Sequence, residues 1–232
     1  MHEMSLWNLN ELEKISDTKP RRFRCVPTGA EYDVHWVPLK NHYGGGEHFP
    51  VKPDKNINSR PVLFIDLETT GDNPVFHDII EIAMIRTDRE EEYVQKCAVV
   101  NPSSWLAVAR EKTGYNDKDW EDAPTFAMVA GEVFEWLATG GPAVVGHNLY
   151  RFDWLFLEWR LKSLGYPAHQ VGRPLIDTMG LAFGAMRGHV PEDAGLSLNS
   201  CCKFLGVEPE GTIHRAVEGA RRVQAIYERL TA

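Results

Sequence analysis

Hydrophobic positions divide the chain near residue 60. Before that point apolar residues are scattered among charges, a Gly44-Gly45-Gly46 triplet, and Pro50 and Pro53. Glycine and proline at such density punctuate structure instead of extending it. Only residues 31–39 (EYDVHWVPL) read as a short strand or two. Residues 1–60 are therefore expected to be an N-terminal extension with little regular structure, or a small β-rich accessory unit. From Val62 onward the pattern is mixed α/β, and residues 61–232 are expected to form one domain. The runs 62–66 (VLFID), 79–87 (IIEIAMIRT) and 93–100 (YVQKCAVV) predict three strands, because β-branched residues fit a pleated surface. Their short connections suggest adjacent antiparallel partners.

Helical spacing then takes over. Residues 104–113 predict a short helix ending before Gly114. Phe126, Val129, Ala130, Val133, Phe134 and Leu137 recur at a helical period, predicting a helix over 125–138 with Thr125 as its cap. Gly140, Gly141 and Pro142 stop it and introduce a strand at 143–145. A helix over 149–164, a strand around 173–177, a small helix at 197–205 and a last helix over about 215–230 complete the reading. No internal repeat is visible.

Composition narrows the class. The 232 residues are 43% hydrophobic and 25% charged, ordinary values for a globular protein. No run reaches 18 apolar residues, which argues against a membrane span. The 4 Cys lack the spacing of a disulfide scaffold, and no signal peptide is visible, so a cytoplasmic or other reducing location is expected. The net charge of -8 argues mildly against tight non-specific duplex binding. It does not exclude a nuclease, because bound cations cancel metal-site carboxylates locally. The first 60 residues carry nine Lys/Arg against eight Asp/Glu, so the remainder holds a net charge of -9.

Three segments carry candidate chemistry. In Phe64-Ile65-Asp66-Leu67-Glu68-Thr69-Thr70-Gly71 the two acids are two residues apart on a strand, so they point the same way. Paired carboxylates at the end of a buried strand need a cationic partner, and oxygen-only ligands suit magnesium or manganese. The same pair also fits a strand end whose acids face water. In Gly146-His147-Asn148-Leu149-Tyr150-Arg151-Phe152-Asp153 a strand passes into a helix that Asn148 can cap, with Asp153 among aromatic residues. A solvent-facing acid on an amphipathic helix is the plainer alternative. In His214-Arg215-Ala216-Val217-Glu218-Gly219-Ala220 a histidine opens the last helix, where it can accept a proton or simply cap the end.

Together these segments resemble the DnaQ-like exonucleases of the DEDD superfamily, in the DEDDh subgroup that has histidine in its third motif. The first motif matches at 64–71. The second matches with one extra residue between Asn148 and Phe152-Asp153. Leu175-Ile176-Asp177-Thr178, Leu196-Ser197-Leu198 and Phe204-Leu205-Gly206-Val207 fall where the family has its strand and helix before the histidine. The resemblance covers residues 62–230 and implies a ribonuclease H-like fold, with a central mixed sheet flanked by helices. It implies metal-dependent 3'-5' exonuclease activity with two divalent cations, Mg2+ or Mn2+. The implied partners are the 3' end of single-stranded DNA or RNA and a DNA polymerase or repair protein.

The resemblance further implies Asp66, Glu68 and Asp153 as metal ligands, His214 as the base, and Leu67, Thr69, Asn148 and Phe152 as the terminal-nucleotide pocket. One position departs from it. The family's last acid, five residues after the histidine, is here Gly219. Glu218 is a possible substitute ligand, although neighbouring helical side chains point about 100° apart. A weak or inactive relative that binds nucleic acid or a polymerase-type partner is the alternative reading.

Overall fold

The computed structural model describes residues 60–171, 174–189 and 195–232, together with three strand segments that precede them. The chain divides into two compact units, Met1–Ser59 and Arg60–Ala232. In the first, β1 (Leu12–Lys14), β2 (Arg21–Cys25) and β3 (Glu31–Val34) form an antiparallel sheet in that order. Of the expected strand over 31–39, Glu31–Val34 is β3, and residues 35–39 lie outside the described residues.

The second unit holds a five-stranded mixed sheet. Its strands are β4 (Val62–Thr69), β5 (Ile79–Arg86), β6 (Tyr93–Lys96), β7 (Ala143–Gly146) and β8 (Leu175–Asp177), in the order β6-β5-β4-β7-β8. The first three pair antiparallel, whereas β7 runs parallel to both β4 and β8. β4 is therefore the central strand. It is an unbroken apolar run up to Asp66, as expected for a strand covered on both faces.

Strand alternation sends the two sets of β4 side chains to different helices. Leu63, Ile65 and Leu67 pack with α2 (Phe126–Ala138) and α3 (Asp153–Ser163) in the main core. Phe64 packs on the other face with Val145 and with Val223 of α6 (Ala216–Thr231). α4 (Thr178–Met186) and α5 (Leu198–Leu205) join α6 through Ala182, Met186, Cys201, Cys202 and Ile226. A short helix α1 (Ala107–Thr113) closes on left-handed Gly114, the conformation in which a helix C-terminus favours glycine.

Three expectations change. The helix expected over 149–164 begins only at Asp153, because Asn148 adopts a left-handed conformation (φ 60°) and Leu149–Phe152 form turns. Asn148 thus lies in the turn between β7 and α3 and does not cap the helix. The strand expected to reach residue 100 stops at Lys96. Helix α4 was not anticipated: Gly180 and Gly184 lower its helical propensity, and its start depends on Asp177 accepting from Met179 N–H. Among the described residues, no helix is long and apolar enough to cross a membrane.

One buried carboxylate ties α3 to the sheet. Asp78, 5% exposed, accepts from the backbone N–H of Val100 (2.9 Å) and Asn101 (2.7 Å) and from Arg160 of α3 (2.9 Å). Arg160 also donates to the His77 carbonyl. Removing one member of a buried pair leaves the other uncompensated, at a cost of about 3–5 kcal/mol. Asp78→Ala should therefore lower stability by about that amount in urea unfolding. Asp78→Asn, which keeps an acceptor oxygen, should lose less. Equal, small losses for both would show that this junction does not hold α3.

Candidate active site

The C-terminal end of β4 meets the start of α3, the N-terminus of α6 and α1 around an open cleft of about 410 Å³. Asp66, Leu67, Glu68, Thr69, Asn148, Phe152, Asp153 and His214 all line it. Residues far apart in sequence are thus brought together. Asp66 and Glu68 leave β4 on the α6 side, just before a bulge between Glu68 and Thr69. Asp153 arrives from the first turn of α3. Its Oδ1 accepts the Leu67 N–H at 3.0 Å, which joins α3 directly to the strand between the two acids.

Burial sets the electrostatics. Desolvation raises the Asp66 carboxyl well above its usual range, with the charges of Asp153 and Glu68 adding to the effect. Desolvation likewise lifts Glu68 to about 8, and the charges of Glu210 and Glu81 push in the same direction. Asp153 rises to about 7 through desolvation, opposed by its backbone hydrogen bonds. Among the described residues, neither Asp66 nor Glu68 accepts a hydrogen bond or meets a cation at ion-pair distance. Arg215 lowers Glu68 somewhat, but its guanidinium is committed to Glu81, at 2.9 and 3.0 Å.

This is an environment that a divalent cation fits. The donors are hard carboxylate oxygens, the set preferred by magnesium or manganese, and buried negative charge is the term such an ion removes. Among the described residues, no three acidic, histidine or cysteine side chains already converge into a closed cage. The fit therefore rests on the donor chemistry and the uncompensated charge.

The pocket residues differ in how far they are free to contact a ligand. The Thr69 hydroxyl donates to the Gly71 carbonyl. Leu67 is 3% exposed and belongs to the main core. Phe152 is partly buried, with its ring 5.2 Å from that of Phe156. The Asn148 N–H is held by Asp177 Oδ1 at 2.9 Å, which fixes the turn. His147, also on the cleft wall, is structural: its ring bridges Thr178 Oγ1 (2.9 Å) and the Leu196 carbonyl (2.8 Å). Desolvation lowers its pKa and favours the neutral ring.

Glu218 is not at the site. Its carboxylate binds Arg221 (2.9 Å) and Arg222 (3.1 Å) on the outer side of α6, and it does not line the cleft. The helix is regular there, so the residue beside Gly219 points elsewhere, as helical geometry requires. Gly219 itself lies against Asp66, and a β-carbon added to it would overlap the carboxylate. The close approach of α6 to β4 accounts for a glycine that otherwise weakens a helix by about 1 kcal/mol.

Two further acids belong to the neighbourhood. Glu81 stands directly opposite Glu68 across the β4–β5 pair and is 2% exposed. A lone acid in the apolar run IIEIAMI was its signal. Glu210 also lines the cleft, in the loop before His214, with its carboxylate 3.5 Å from His214 Nδ1. Nothing local in the sequence marks it.

A family model described as exonuclease matches residues 63–227. The DNA polymerase III PolC-type protein of Oceanobacillus iheyensis is 31% identical over 168 residues, covering 72% of this chain and 11% of that protein. Its Bacillus subtilis counterpart is 34% identical over 153 residues, covering 66% and 10%. The chain thus spans about a tenth of the length of these relatives. E. coli exonuclease I in complex with a dT13 oligonucleotide superposes with a TM-score of 0.61 at 21% identity, over 75% of this chain and 41% of that one, a likeness of fold. The matched segment runs from β4 into α6 and contains every acid of the cleft, and the chain belongs to the exonuclease family.

Proposed function

We propose that this chain is a metal-dependent 3'-5' exonuclease that shortens single-stranded nucleic acid and releases nucleoside 5'-monophosphates. The observation that carries this reading is the opening of Asp66, Glu68, Asp153 and His214 into one cleft, where, among the described residues, no cation stands at ion-pair distance from Asp66 or Glu68, although Lys112 lines the same cleft. Two divalent cations, Mg2+ or Mn2+, would supply the charge compensation and water activation that phosphodiester hydrolysis needs. Asp66, Glu68 and Asp153 would hold them. His214, with Nδ1 toward Glu210, has Nε2 left to accept the proton of the attacking water.

Asn148, Phe152, Leu67 and Thr69 would enclose the last nucleotide. Phe152 offers an aromatic edge or face to the base, and stacking of that kind tolerates any sequence. A cleft of about 410 Å³ admits one unpaired end more readily than an intact duplex, whose terminal pair must first open. The name of the PolC-type relatives favours DNA as substrate and a replication polymerase or repair protein as partner. Gly219, where the resemblance expects an acid, favours a second reading: a domain that binds a strand end for such a partner without cutting it.

A single assay separates the two. A 5'-labelled single strand incubated with manganese should yield a ladder shortening from the 3' end, abolished by chelator. A retained complex with no ladder in any divalent metal would establish the second reading. His214→Ala should reduce turnover about 10²–10⁴-fold, the usual contribution of a general base, with little change in strand affinity. Unchanged turnover would remove His214 from the mechanism.

The carboxylates also set a pH dependence of stability. Glu68 and Asp153 hold protons in the folded chain up to about 8 and about 7, whereas the unfolded carboxyls release them near 4. The stability they contribute is fully present below the unfolded values and is lost as pH rises through the folded ones. The metal-free thermal midpoint should therefore fall between about pH 5 and pH 8.5, and millimolar magnesium should restore it at the upper end. A midpoint that holds steady or rises in chelator would show that the cluster carries no such strain.

A further inference from the structure

The fourth acid of the site is missing from α6, yet a fourth carboxylate is present in the cleft. Glu210 lies between α5 and α6, and its side chain is 8% exposed. Its only ion-pair neighbour among the described residues is His214, at 3.5 Å. A nine-tenths buried carboxylate that shares a cleft with Asp66, Glu68 and Asp153 is costly unless a cation joins them.

The loop that carries it is firmly held. The Glu210 N–H donates to Asn199 Oδ1 of α5 at 2.7 Å. Arg222 of α6 donates to the carbonyls of Glu208 (3.0 Å) and Pro209 (3.2 Å), and to the Glu218 carbonyl of its own helix (2.8 Å). The His214 N–H is fixed to the Lys112 carbonyl of α1 at 2.8 Å. Both ends of the segment are thus anchored to neighbouring helices, and the carboxylate is delivered to the cleft by structure and not by a loose chain. Its side chain lines the same cleft as Asp66, Glu68 and Asp153.

Gly219 completes the geometry. A side chain there would overlap Asp66, so an acid cannot reach the cleft from that helical position without displacing the central carboxylate. The loop reaches the same cavity from the neighbouring side.

We propose that Glu210 is a metal ligand of this site, supplying from the α5–α6 loop the carboxylate that the resemblance expects at position 219. The assignment rests on the metal-dependent reading above. It makes the centre a complete four-carboxylate one, with Asp66, Glu68 and Asp153, despite the glycine in α6.

Manganese alone, with no nucleic acid, tests it. The chain is titrated with Mn2+ at alkaline pH, and free ion is counted by its electron paramagnetic resonance signal. Circular dichroism and the urea midpoint confirm that each variant is folded. Glu210→Gln should weaken Mn2+ binding at least tenfold or remove one bound ion. Asp66→Asn should also lose binding, whereas Glu218→Gln, on the outer side of α6, should bind as the parent does. Parent-like binding by Glu210→Gln, alongside loss in Asp66→Asn, would overturn the Glu210 assignment and leave the metal-dependent reading intact. A Glu210→Gln variant with parent-like binding and a displaced pH–rate profile would make Glu210 a positioning residue for His214, which also overturns it. Absence of Mn2+ binding by the parent chain would overturn both.

Discussion

Negative charge confined beneath a helix is the constraint around which this domain is organised. Asp66 and Glu68 leave the central strand on the face that α6 covers, and desolvation, reinforced by neighbouring acids, raises both carboxyls above their usual range. Apolar packing cannot relieve that cost. The fold instead leaves the end of β4 open to a cleft, where solvent and cations can reach the carboxylates. The position of the opening follows from the sheet: β4 is central, β7 runs parallel beside it, and the turn after β7 delivers α3 and Asp153 to the same end.

The surroundings compensate some charges and leave others alone, and the division has functional sense. Glu81, opposite Glu68, is neutralised by a two-pronged contact with Arg215. Asp78 is neutralised by Arg160 and two backbone amides. Asp177 caps α4 and holds the Asn148 turn. These acids are structural, since each has a complete set of partners. Among the described residues the carboxylates of Asp66 and Glu68 have none, and they share one cavity with Asp153, Glu210 and His214.

The same logic explains Gly219. A glycine inside a helix is normally a weakness, but here it allows the α6 backbone to lie directly on the Asp66 carboxylate. A β-carbon at that position would force the Asp66 carboxylate to shift. The neighbouring loop, clamped by Arg222 and Asn199, brings an acid to the cleft by another route.

Much of this was legible in the sequence. The apolar run of β4 and the helical spacing of α2 indicated a mixed α/β domain, because periodicity is a property of contiguous residues. The resemblance of the three motif segments to an exonuclease family implied the ribonuclease H-like fold and named Asp66, Glu68, Asp153 and His214 as candidates. Helix α4 was hidden by its glycines, and the late start of α3 by a left-handed Asn148 that no residue pattern demanded. The sequence also left Glu218 as the natural substitute for a missing acid, since it is the adjacent residue. Only the tertiary structure turned Glu218 outward to Arg221 and Arg222 and turned Glu210 inward to the cleft. The reason is physical: which carboxylates meet depends on how α5, α6 and the sheet pack, and contacts between distant segments leave no periodic trace along the chain.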